Sequence, residues 1–375
     1  MDPPAEGPPT IRLQSESRTP VDRSSSASLG MPSPSGGPNS AGKQTQRVVF
    51  ACPEFEDLAD ELVTMNPCFV KGKITWGRFE DGFPNISVQD WHCHLRGKHV
   101  IFLASFMLEH VKTSIFDQIS VIYSVPRSFA KSLTVFLPYF PTGTMERVEK
   151  EGQIATAKTL ARILSATPKC HGTGPAQWVF FDIHALQQRF YFGDEIIPVL
   201  LTAIPLFKDA IAHQSDVAIA FPDEGARKRF GRQFDDEHYE LITCSKVRNG
   251  DKRMVKITEG DPTGKNVYIV DDLVKTGGTL IQCKKALFEA GAASVSAFVT
   301  HGVFPQESWK RFVPSAATAG GGGNGEEKSF KDFFVTDSCP MMSKILASTP
   351  PFRVLSLAPA IYNFLKFEDS TKFFG

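Results

Sequence analysis

Three absences narrow this 375-residue sequence before any motif is read. It has no excess charge: 41 basic residues balance 41 acidic ones. A chain so balanced lacks the broad positive field that nucleic acids and anionic membranes attract, so any basic surface must be local. It has no apolar run long enough to span a bilayer, which takes about 18 residues or more, and no secretory apolar core. Its seven cysteines (Cys52, Cys68, Cys93, Cys170, Cys244, Cys283 and Cys339) are scattered, odd in number and without a CxxC spacing. That excludes a disulfide framework or a thiolate zinc site and reads as reduced thiols in an intracellular protein. There is no short internal repeat either, so solenoids and propellers are set aside.

Large apolar residues are scarce in residues 1–46, which are rich in Pro, Ser and Gly. Such a stretch cannot offset its ordering entropy and is expected to be a disordered extension. Ser24, Ser25 and Ser26 with Arg12, Arg18 and Arg23 lean towards a transit peptide. Asp2, Glu6, Glu16 and Asp22 lean against it, because such peptides are poor in acids. The expected compartment is the cytoplasm, with organellar import through this tail as the alternative. Residues 314–328, with Gly320 to Gly323, read as a mobile surface insertion.

What is present is ordinary for a globular protein, with 42% hydrophobic and 22% charged residues. The length suffices for two full cores. From residue 47 strands and helices alternate. Val48 to Ala51, Val100 to Phe106, Leu133 to Leu137 and Trp178 to Ile183 read as strands. Phe55 to Met65, Val111 to Tyr123 and Gly152 to Leu164 read as helices. A second alternation begins with a helix over Ile196 to Ile211, bent at Pro205, and a strand over Val217 to Phe221. A strand at Leu241 to Cys244 then runs into a basic loop. Two α/β domains with mainly parallel sheets follow from this order, with boundaries at 47–190 and 191–375.

The stretch that organises the chain is Asn266 to Thr279. Val267, Ile269 and Val270 make a buried strand that reaches Asp271 and Asp272. The chain then turns through Thr276, Gly277, Gly278 and Thr279 into a helix that Gly291 stops. Ligands of open α/β sheets sit beyond the carboxyl ends of the strands. Gly277 and Gly278 let backbone amides close on a phosphate, Thr276 and Thr279 add hydroxyls, and the helix N-terminus adds its dipole. The two carboxylates suit ribose hydroxyls or a divalent cation. This turn resembles the ribose-phosphate loop of the type I phosphoribosyltransferase fold, which includes both phosphoribosyltransferases and phosphoribosyl pyrophosphate (PRPP) synthetases. The turn alone does not choose between them.

Other candidates surround it in sequence. His184 follows a strand, where a histidine is usually structural but beside a polyphosphate can serve a magnesium ion or the transition state. Asp223 stands at another strand end, suited equally to a metal-bound water and to capping the helix after it. Lys246 and Arg248 alternate in the basic loop Thr243 to Arg253, where they can close over a transferring phosphate. Phe79 and Asp81 lie in a turn that can stack on a purine and accept from its amino group.

Taken together, the motifs are specific. Pro138-Tyr139-Phe140 with Glu146-Arg147, Asp182-Ile183-His184 with Gln188, Pro222-Asp223, Lys246-Val247-Arg248, Asp271-Asp272 and Val335-Thr336-Asp337 occur in the order that PRPP synthetases show. The resemblance covers about residues 47 to 367. Phe83-Pro84-Asn85, Pro141 to Arg147 and Thr300-His301-Gly302 look most like the class II, plant-type enzymes. It implies two tandem type I phosphoribosyltransferase-like domains, the last helix packing back on the first. It also implies a reaction: ribose 5-phosphate attacks the β-phosphorus of magnesium ATP, giving PRPP and AMP. By motif position, Asp271, Asp272, Thr276, Gly277, Gly278 and Thr279 hold ribose 5-phosphate. Lys246, Arg248 and His184 serve catalysis, His184 and Asp223 the Mg2+, and Phe79 and Asp81 the ATP. The resemblance further implies a homo-oligomer. Two departures from the commoner class, Phe83 in place of a Glu and Thr144-Met145 near an Arg-Gln pair, imply activity without added phosphate and donors besides ATP. The alternatives are a non-catalytic regulatory paralogue and a phosphoribosyltransferase.

Overall fold

The computed structural model describes residues 46–107, 112–234, 238–249, 252–314 and 328–371. The expected extension up to residue 45 and the insertion over 315–327 lie outside the described residues, as do the side chains of 246–249, 252–254 and 368–371.

The first eight strands are β1 (Arg47–Ala51), β2 (Phe69–Lys71), β3 (Ile74–Arg78), β4 (Pro84–Val88), β5 (His99–Leu103), β6 (Ser132–Phe136), β7 (Ala176–Phe181) and β8 (Ile196–Leu201). Six of them form one sheet in the order β2-β1-β5-β6-β7-β8, every pair parallel. β1 and β5 are buried at every position, as strands covered on both faces must be, and both read as near-continuous apolar runs. β3 and β4 make a separate antiparallel hairpin. It leans on the helix Ile115–Arg127, which Ser114 and Asp117 start with a reciprocal capping box.

The second sheet contains β9 (Val217–Phe221), β10 (Glu240–Asn249), β11 (Lys252–Glu259), β12 (Asn266–Val274), β13 (Ser294–Gly302), β14 (Phe333–Thr336) and β15 (Phe352–Leu355). Its order is β11-β10-β9-β12-β13-β14-β15, parallel except for β10 with β11. The expected mixed α/β class with mainly parallel sheets is what the chain adopts.

Two expectations need correction. Ile196 to Ile211 is not one bent helix but strand β8 followed by the helix Ile204–Ile211. No glycine separates the two, so a single apolar run concealed both. Pro198 is tolerated because β8 is an edge strand, and Pro205 because it lies in the helix's first turn. The basic segment is not a loop either. β10 continues through Lys246 and Arg248 and folds back as β11, pairing Lys246 with Val255 and Arg248 with Arg253. Its last pair is Asn249 with Lys252.

The two sheets share a core. Ile101, Leu103, Phe136 and Val179 of the first sheet join Ile219, Val270, Phe298 and Phe334 of the second in one buried cluster. Phe207, on the helix between the sheets, stacks on Phe298 with ring centres 4.5 Å apart. The helix Ala358–Thr371 adds Ile361 and Leu365 to the same cluster. Its Phe364 meets Phe136 edge-on at 5.9 Å, and the Leu365 carbonyl accepts from Arg47 Nη2 at 3.4 Å.

Candidate active site

β12 carries the central turn. Val267 to Val270 are buried, and the strand runs on past both carboxylates to Val274, pairing Asp271 with Val299 and Leu273 with His301. Each carboxylate caps the next peptide: Asp271 Oδ1 accepts from the Asp272 N–H at 2.9 Å and Asp272 Oδ1 from the Leu273 N–H at 2.8 Å. Gly277 then bends the chain with φ of +73°. A Cβ there would lie 2.1 Å from Phe312 Cζ, so conformation and space both demand glycine. A Cβ on Gly278 would meet nothing within 4 Å, which leaves the opening of the helix Gly278–Glu289 accessible to a ligand. From outside, Ser308 Oγ donates to the Lys275 carbonyl and Arg311 Nη1 to the Thr276 carbonyl, both at 2.6 Å.

His184 reaches this turn from the other sheet. Three residues beyond β7, its Nδ1 lies 2.6 Å from Asp272 Oδ2. This hydrogen bond raises the His184 pKa, partly opposed by burial and helped by the charges of Asp272 and Glu146. For Asp272 burial acts upward, but the bond to His184 and the charges of His184 and Arg229 outweigh it and hold the carboxyl low. Burial, with the charges of Asp272 and Asp223, pushes Asp271 well above the usual carboxylate range. Arg229 Nη1 fixes the loop by donating to the His184 carbonyl at 2.6 Å.

Asp223 caps the helix Glu224–Phe230, its Oδ1 accepting from the Ala226 N–H at 3.1 Å. It follows β9, which pairs with β12 in parallel up to Ala220–Ile269, so it stands at the same edge of the sheet as the carboxylate pair. The segment Pro141 to Glu146 lines the same side. Lys275 Nζ donates to Thr144 Oγ1 at 2.8 Å, and a Cβ built on Gly143 would come 3.5 Å from His184 Cβ. Among the described residues, no group of three or more His, Cys, Asp or Glu side chains is arranged to hold a metal. The donor set still fits magnesium, which commonly takes one or two carboxylates and completes its shell with water and substrate phosphates. Glu146 Oε2 and Gln188 Oε1 are buried near His184 without a hydrogen-bond partner, as acceptors for such a water shell would be.

Phe79 and Asp81 stand apart. Asp81 Oδ1 accepts from the Phe83 N–H at 3.0 Å, closing the β3–β4 turn, and Arg78 ties that turn to Asp117 at 2.8 Å. Phe79 and Phe83 are 56% and 65% exposed, and no hydrogen bond found among the described residues joins this turn to β12. Lys246 and Arg248 lie on the β10–β11 hairpin, adjacent through β9 to β12. Sequence reasoning passed over Arg229 and Lys275, and it quoted Asp182, Thr300 and His301 in motifs without giving them a role. Asp182 and His301 carried a signal, since each stands at the carboxyl end of a parallel strand.

The comparisons with known proteins agree with this geometry. Residues 48–167 match the N-terminal domain of ribose phosphate pyrophosphokinase, and residues 194–312 match the phosphoribosyl transferase domain. Ribose-phosphate pyrophosphokinase 3, mitochondrial, of Spinacia oleracea is 50% identical over 84% of this chain and 75% of its own length. The chloroplastic protein 3 of Arabidopsis thaliana is 50% identical over 87% and 77%, and its protein 4 is 48% identical over 85% and 91%. The crystal structure of phosphoribosylpyrophosphate synthetase from Mycobacterium smegmatis superposes with a TM-score of 0.67 at 22% identity, covering 87% of this chain and all of that one, which supports the fold. Relatives at this identity, aligned over most of their length, show that the chain belongs to the ribose-phosphate pyrophosphokinase (PRPP synthetase) family.

Proposed function

We infer that the chain transfers the diphosphoryl group of magnesium ATP to the anomeric hydroxyl of ribose 5-phosphate, releasing PRPP and AMP. The observation that carries this is the contact of His184 with Asp272, which joins a diphosphate-handling histidine on one sheet to a sugar-phosphate turn on the other. Asp271 and Asp272 face the ribose hydroxyls, while Thr276, Gly277, Gly278 and Thr279 wrap the 5-phosphate. Magnesium, when bound near His184 and Asp223, supplies charge to the polyphosphate. Lys246 and Arg248 close over the transferring group from the hairpin and stabilise its charge. No covalent intermediate is needed, because such transfers run on positioning and electrostatics.

Phe79 and Asp81 bind adenine in this reading. Their exposed turn makes no bond to β12 within one chain, which favours a homo-oligomer in which a second copy completes the nucleotide site. Phe83 and Met145 favour activity without added phosphate. Among the described residues no helix is long and apolar enough to cross a membrane. A cytoplasmic enzyme is our reading of the compartment, and the relatives named mitochondrial and chloroplastic make import through the tail its alternative. A fluorescent fusion separates the two.

The test is purified protein with ribose 5-phosphate and magnesium ATP in phosphate-free buffer, following AMP and PRPP. Lys246→Ala is expected to lower kcat by about a thousandfold while ribose 5-phosphate binding persists. Unchanged turnover in that variant removes the hairpin from the mechanism, and no AMP from the wild type favours a regulatory paralogue.

A further inference from the structure

Where β7 ends, the chain makes a bend that costs energy. Asp182 adopts φ of +36°, a left-handed conformation that Asp visits more readily than most residues but that is still held here by outside contacts. The support comes from the other sheet. Asp182 is buried, and its Oδ2 accepts the Thr300 hydroxyl at 2.6 Å and the Ala203 N–H at 2.9 Å. One residue earlier, the Phe181 carbonyl lies 2.9 Å from His301 Nε2. His301 is buried too, and burial lowers its pKa, so the neutral ring with its proton on Nε2 suits that carbonyl. Its Nδ1 lies 2.9 Å from Ser338 Oγ, the Thr336 hydroxyl donates to the Thr300 carbonyl, and the one Ser338 proton is shared between that carbonyl and Nδ1.

Thr300 and His301 belong to β13, the strand that pairs with β12 across Asp271–Val299 and Leu273–His301. One strand therefore sets the height of Asp272 and grips the peptide two to three residues before His184. We propose that Thr300 and His301 are positioning residues for the diphosphoryl transfer, locking the bend at Asp182 so that His184 meets Asp272. The role rests on the reaction inferred above, but the geometry it predicts does not. Their side chains bond Asp182, Phe181 and Ser338 and not the Thr276–Thr279 phosphate turn, so substrate binding should survive their loss while turnover does not.

Thr300→Val keeps the shape and removes the hydroxyl. Its crystal structure is expected to show His184 Nδ1 beyond hydrogen-bond range of Asp272. Its kcat should fall by about a hundredfold, as misplacements of about 1 Å cost, with KM for ribose 5-phosphate within about twofold of wild type. Thr300→Ser should restore both distance and kcat. Should Thr300→Val fail to fold, His301→Asn serves instead, since it keeps a partner for Ser338 but loses the bond to Phe181. An intact His184–Asp272 contact with wild-type kcat in the folded variant overturns the proposal, as does a loss that falls on KM alone. A wild-type chain that makes no PRPP overturns the inferred reaction instead, and the distances in the variant crystals then decide the positioning claim by themselves.

Discussion

The two turns proposed to carry chemistry are built in opposite ways. The β12 turn follows a strand buried on both faces, packs Gly277 against Phe312, and is held by Ser308 and Arg311 of one segment and by His184 from beyond β7. The β3–β4 turn stands on a two-stranded hairpin, holds itself with its own backbone bonds, and touches the rest through Arg78 and Asp117. A sugar phosphate is small and charged, and its recognition needs fixed donors in one place. An adenine ring can be met by an exposed aromatic and one acceptor. In the proposed reading the acceptor substrate's site is thus preorganised by the fold, while the nucleotide's site is displayed on it.

The contrast breaks most visibly at Gly277. Gly277→Ala adds a clash with Phe312 and an unfavourable φ, and is expected to abolish PRPP formation and cost about 2–5 kcal/mol in chemical denaturation. If it folds and works normally, the β12 turn is not the rigid member of the pair. A second test uses pH. His184 has a raised pKa in the folded state, so its pairing stabilises fully below its ordinary value of 6.5 and fades as pH climbs through the raised one. Asp272 has a lowered pKa, so its share is present above the ordinary 3.8 and is lost as pH drops through the depressed value. The Tm difference between wild type and Asp272→Asn should therefore be larger at about pH 5 than at about pH 9. A difference that is flat or grows with pH argues against the pair. The smallest effect belongs to the displayed turn. Phe79→Ala should raise the KM for ATP about tenfold, with stability changed by less than about 0.5 kcal/mol. A large loss of stability there would mean that the hairpin is as embedded as β12.

Legibility followed the range of the interactions. The β12 turn was readable because its requirements are local: an apolar run, two carboxylates, then glycines before a helical pattern. The mixed α/β class was readable for the same reason. β8 was not, because a proline-bearing edge strand and the helix after it form one apolar run. The β10–β11 hairpin was hidden by its cations. The contacts of Arg229, Lys275, Asp182 and Thr300 were beyond reach, since each acts on a residue 45 to 131 positions away in the chain. Asp223 shows the limit from the other side. Its capping bond was foreseen and is present, yet the same carboxylate presses on Asp271, which only the fold reveals.

The helix Ala358–Thr371 has a consequence for how the protein is made. Its residues seal the core against β1 and β6, and Arg47 bonds a carbonyl 318 residues further along. During synthesis the first sheet emerges long before the segment that covers it, leaving Val49, Ile101 and Phe136 without their final neighbours. Closing contacts of such long range slow folding and prolong the life of exposed apolar surface. The first half of this chain is therefore expected to keep apolar surface exposed until the last helix has been made.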